Sequence, residues 1–106
     1  MAQLLWTQKQ DVGPLPRSDV AMVFDAARKR VLLFGGASGS TLFNDTWEWD
    51  GKCWTQRQDI GPAARAFAGL AYDSTRERAV LFGGAGQTVF GDTWEQFFQA
   101  GKVIND

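Results

Sequence analysis

The chain has 106 residues, 44% of them hydrophobic and 22% charged, and a formal net charge of -1 from 11 basic and 12 acidic side chains. That length suits one small domain, and without a basic patch or run neither nucleic acid nor an anionic membrane is an expected partner. The absence of histidine and the single cysteine, Cys53, exclude an internal disulfide framework, a cysteine-rich zinc site and histidine-based acid–base or metal chemistry.

In chain order, residues 3–9 ("QLLWTQK") read as a strand, without the basic and long apolar regions of a secretory signal. A turn with Gly13 and Pro14 follows, then a strand over 19–25 ("DVAMVFD") ending at Asp25, where Asp caps the backbone of a tight polar turn, "AARKR". Residues 30–34 ("RVLLF") form a near-continuous apolar run, as in a strand covered on both faces. Gly35 and Gly36 end it where backbones approach closely, and a loop of small residues leads to a strand over 45–50 ("DTWEWD"). Period-two alternation puts Trp47 and Trp49 on one face, and Asp50-Gly51 signals a hairpin into a strand over 52–58 ("KCWTQRQ"). No stretch approaches the roughly 18 apolar residues of a membrane helix, so a cytoplasmic location is expected.

The same order then returns. "WTQKQDVGP" (6–14) recurs 48 residues later as "WTQRQDIGP" (54–62), Arg17 as Arg65, and "VFDAARKRVLLFGG" as "AYDSTRERAVLFGG". After the double glycine the offset falls to 47, and Asp45-Thr46-Trp47-Glu48 matches Asp92-Thr93-Trp94-Glu95. The spacing from Gly86 to Gly91 imitates a phosphate loop. However, Asp92 stands where that loop needs Lys, Asn44 replaces Gly91 in the first copy, and the residues that follow are strand-like, not helical. These glycines belong to a repeat.

Four short strands per unit of 40–50 residues is the arithmetic of a β-propeller blade. An apolar strand ending in Gly-Gly, then an aromatic and a Trp on the next strand, resembles the kelch motif. It occurs as Phe34, Gly35, Gly36, Phe43 and Trp47, and again as Phe82, Gly83, Gly84, Phe90 and Trp94. Phe43 and Phe90 stand where the family usually has Tyr. The resemblance implies an all-β chain of two kelch-like blades of four antiparallel strands, about 6–53 and 54–102. Because such repeats need neighbours, the ring is expected to be completed by oligomerisation. The strand order is fourth, first to fourth, first to third, so strand 3–9 is expected to complete a blade in a neighbouring chain. Three copies, giving six blades, are preferred, with two or four open. Alternatively, "GKVIND" (101–106) forms the last fourth strand in cis.

The expected function is a non-enzymatic binding module that offers repeated loop sites to a protein or carbohydrate ligand, with no cofactor or metal. The alternative is a repeat fragment, or engineered piece, of a larger kelch-like propeller with no independent activity. The loops after the second and fourth strands share one face, where binding residues concentrate. Candidate contacts there are Ser38, Ser40, Thr41, Gln87 and Thr88, with Arg17 and Arg65 near the central opening. Those arginines suit an anionic or polyhydroxylated ligand, or else pair with Asp45 and Asp92. Trp6, Trp47, Trp54 and Trp94 read as packing residues. Trp49 has no counterpart in the second repeat and is the candidate ligand platform. Glu48 and Glu95 recur without a partner carboxylate at a readable spacing, so they read as outward-facing or salt-bridged. Cys53 reads as a buried inert thiol.

Overall fold

The structure, a computed structural model, describes residues 2–9, 12–57 and 60–98. The expected cis strand over 101–106 and the turn residues Asp11 and Asp59 lie outside the described residues.

The first repeat folds into a four-stranded antiparallel sheet. Its strands are β1 (Ala21–Asp25), β2 (Arg30–Phe34), β5 (Thr46–Trp49) and β6 (Trp54–Gln56), in that spatial order. Between β2 and β5 the loop of small residues contains a two-stranded ribbon that the sequence did not announce, β3 (Ala37–Ser38) and β4 (Thr41–Leu42). The second repeat forms a three-stranded antiparallel sheet of β7 (Gly69–Asp73), β8 (Arg78–Phe82) and β9 (Thr93–Gln96). The apolar strands 30–34 and 78–82 have the expected bounds, whereas 45–50 shortens to Thr46–Trp49, and of the described residues 52–57 only Trp54–Gln56 is strand. Residues 3–9, expected as a strand, form none within this chain and lie exposed.

Turn chemistry explains the hairpins. Asp25 accepts a hydrogen bond from the Arg28 amide at 3.0 Å, and Asp73 accepts from the Thr75 and Arg76 amides at 3.1 Å each. Asp50 accepts from the Lys52 and Cys53 amides, so the Asp50-Gly51 turn is a four-residue connection closed by the Trp49–Trp54 pair. Cys53 sits on this turn and is exposed, which corrects its reading as a buried thiol.

Directly paired residues share a face of the sheet. The register Met22↔Leu33↔Trp47 and Phe24↔Val31↔Trp49 therefore defines a front face, with Trp47 and Trp49 together as expected. The back face carries Ala21, Leu32, Phe34 and Glu48. In the second sheet the corresponding front carries Leu70, Ala79, Leu81 and Trp94, and the back carries Ala71, Val80, Phe82 and Glu95. The back of the first sheet packs on the front of the second, with β1 against β7 and β8. This burial makes the core, which includes Ala21, Leu32, Phe34, Ala79 and Leu81. Each large side chain removed from water there contributes about 1.5–3 kcal/mol.

Candidate functional site

At the loop end of each sheet sits a repeated clamp. The Arg17 guanidinium makes two bonds to Asp45, at 2.5 and 3.0 Å, and one to the Gly35 carbonyl at 3.2 Å. Trp47 Nε1 donates to the same Asp45 carboxylate at 2.8 Å. The second repeat reproduces every element: Arg65 to Asp92 at 2.6 and 2.9 Å, Arg65 to the Gly83 carbonyl at 2.9 Å, and Trp94 Nε1 to Asp92 at 2.8 Å. Each guanidinium also stacks on the loop aromatic, 3.7 Å from the Phe43 centroid and 3.9 Å from that of Phe90. In each clamp the ring offers its face to the cation.

Of the two roles open to Arg17 and Arg65, the structure shows the ion pair. Both side chains are buried, and their forks are filled by a carboxylate, a carbonyl and an aromatic ring. Neither presents a free guanidinium to a ligand. Burial raises the pKa of Asp45, but the bonds from Arg17 and Trp47 outweigh this and hold it below the usual carboxylate range. The bonds from Arg65 and Trp94 hold Asp92 low.

The clamps fix the loops that carry the polar candidates. Ser18 and Ala37 exchange backbone bonds at 2.8 Å, as do Ala66 and Ala85. Leu42 of the first loop packs on Gly86 of the second, so the two loops adjoin. Ser38, Ser40 and Thr41 cap the β3–β4 turn, Gln87 and Thr88 cap its counterpart, and all five are exposed. Trp49 does not join them. It pairs with Val31 at the far end of β5 and packs on Trp54, centroids 5.6 Å apart. Gly35, Gly36, Gly83 and Gly84 all have positive φ and end β2 and β8 as the motif expects.

Glu48 is buried on the back of the first sheet. It accepts from Arg28 at 2.6 and 2.8 Å and from Arg57 at 3.0 Å. Burial pushes its pKa up, and these guanidiniums override that and hold it below the usual carboxylate range. Glu95 pairs with Arg76, and that bond lowers its pKa. Both carboxylates are therefore salt-bridged. Arg28 and Arg76 lie in polar turns by sequence, and only their recurrence at the repeat offset signals this second role.

A cleft of about 310 Å³ opens between the two sheets beside β9, lined by residues such as Gly61, Pro62, Ala79, Leu81, Trp94 and Phe97. Among the described residues no group of three or more Cys, Asp or Glu is placed to hold a metal. No family model matches the chain, and no curated protein matches it.

Proposed function

We propose that this protein is a non-enzymatic interaction module whose chains assemble head to tail into a kelch-like β-propeller. One observation carries this reading: at Phe34/Phe82, Met22/Leu70 and Phe24/Tyr72 equivalent positions of the two repeats differ in burial, and on opposite faces, whereas Leu33 and Leu81 are buried in both. Phe34 on the back of the first sheet is 6% exposed, and its counterpart Phe82 is 57% exposed. On the front of the first sheet Met22 and Phe24 are 49% and 52% exposed, while Leu70 and Tyr72, their counterparts, lie partly covered by the first sheet.

The back of the second sheet in one copy would then meet the front of the first sheet in the next, repeating the packing inside each chain. A heterologous contact of this kind closes into a ring when the rotation fits. Three copies give six blades, two give four and four give eight, all within the range of closed propellers. The adjoining loops with Ser38, Ser40, Thr41, Gln87 and Thr88 would recur around one face and bind a protein or carbohydrate with avidity.

Light scattering on a sizing column tests the assembly. The expected mass is that of three chains, and Phe24→Asp or Phe82→Asp is expected to yield single chains. A single chain at every concentration would favour the second reading, a pair of repeats belonging to a larger propeller, which the same exposed faces also suit. Once assembly is seen, a glycan array and a pull-down test the loop face. Blanks in both at high concentration would remove the binding role.

A further inference from the structure

We infer that residues 4–9 of a second copy dock on the outer edge of β9, with Trp6 inserted into the cleft between the sheets. This inference rests on the head-to-tail reading and names the contact that would hold it. In the first sheet β5 is flanked by β6, in the register Trp47↔Gln56, Glu48↔Thr55 and Trp49↔Trp54. In the second sheet β9, the equivalent of β5, is an edge among the described residues. The repeat offset of 48 maps Trp54, Thr55, Gln56 and Arg57 onto Trp6, Thr7, Gln8 and Lys9. The docked register is therefore Trp94↔Gln8, Glu95↔Thr7 and Gln96↔Trp6.

Three independent observations fit this occupant. The first is space. A Cβ on Gly13 would lie 2.6 Å from the Trp54 ring, because that indole packs directly on the Gly13 backbone. Gly61, the repeat counterpart of Gly13, has no atom of the described residues within 4 Å of the same position, and it lines the cleft of about 310 Å³. The second is the side chain that matches this space. Trp6 is 102% exposed and Leu4 likewise, on a segment that pairs with no strand among the described residues of its own chain. The third is charge. Arg57 brings a cation 3.0 Å from Glu48, whose side chain is 1% exposed. Glu95 remains 34% exposed, and Lys9 is the residue that the register brings to it.

Zero-length carbodiimide crosslinking of the wild-type protein, mixed from light and ¹⁵N-labelled chains, tests the contact directly. The expected product is a peptide that joins Lys9 to Glu95 with one half light and one half heavy. A link found only within single chains, or none, overturns the proposal. Because Trp6 is fully exposed in its own chain, Trp6→Ala leaves the fold of that chain intact. It should weaken association about thirtyfold, as loss of a buried interface Trp does. If removal of residues 99–106 abolishes association and Trp6→Ala does not, the cleft belongs to the chain's own tail and the proposal fails. A stable multimer that is indifferent to Trp6→Ala overturns this docking alone. A single chain under all conditions overturns both this docking and the assembly.

Discussion

The two repeats share about half their residues over the first 30 or so positions, yet they differ in what covers them. Phe34 and Phe82 end the same strand before the same double glycine, and one is core while the other faces water. Glu48 sits among three arginines on a covered face; Glu95, preceded by the same Asp-Thr-Trp, is open. At these two positions burial is set by the adjacent repeat, not by the residue or its strand, whereas Leu33 and Leu81 are buried in both repeats. A repeat in the middle of an array would have both faces covered, and each of these two has one.

The largest test of that comparison is a pair of truncations. Phe34→Ala should cost about 3–4 kcal/mol of unfolding free energy, the usual range for a core Phe. Phe82→Ala in dilute protein should stay within roughly 0.5 kcal/mol of wild type, as at other exposed sites. Urea denaturation followed by Trp fluorescence reads both, and a rise in the Phe82→Ala cost with protein concentration would show its face becoming covered. Next in size, Glu48→Ala should cost about 1–3 kcal/mol, because it removes a buried carboxylate that accepts charge-assisted bonds from the half-buried Arg28 and from Arg57. Glu95→Ala should cost a small part of that in the same measurement.

Gly35 and Gly83 sharpen the contrast at the backbone. Both have φ near +70°, which costs a residue with a Cβ about 1–2 kcal/mol. At Gly35 a Cβ would also lie 2.6 Å from the Arg65 carbonyl oxygen, whereas at Gly83 the nearest atom is 3.4 Å away. Gly35→Ala should therefore lower the thermal midpoint distinctly more than Gly83→Ala. A smaller effect is expected from pH. Asp45 and Glu48 are held below the range of the unfolded chain, about 4. Their contribution is complete above that range and is lost as pH falls through their lowered folded values. The urea midpoint should fall on acidification below about pH 4, and Glu48→Gln should make that fall shallower. Smallest of all, Ser40→Ala and Gln87→Ala should leave stability within about 0.5 kcal/mol, as for exposed loop positions.

Much of the all-β architecture was legible in the sequence, for a physical reason. Apolar runs such as 30–34, bounded by Asp turns and double glycines, leave the backbone few choices, and the repeat doubles every signal. The clamp was half legible. Arg17 and Asp45 recur as Arg65 and Asp92, but only the folded loops show that the guanidiniums are consumed by these carboxylates and by the Gly35 and Gly83 carbonyls. The β3–β4 ribbon was not legible, because two-residue strands of small residues carry no periodicity. Nor was the cleft beside Gly61, because the space depends on how the sheets are juxtaposed.

Arg65 has one further property. Its side chain closes the loop of the second repeat, while its backbone serves the first: its carbonyl accepts from Gly36 at 3.0 Å and its amide donates to Phe43 at 3.2 Å. Beside the bond from the Phe67 amide to the Asp19 carbonyl at 3.0 Å, Arg65 thus carries part of the nearest-neighbour coupling of a one-dimensional array, in which local order in one unit lowers the free energy of order in the next. Melting the second loop removes bonds from the first, so the pair should unfold in one cooperative transition. Any further unit added in the same phase would bring its own arginine to Gly83 and Gly84 and extend that coupling by one step.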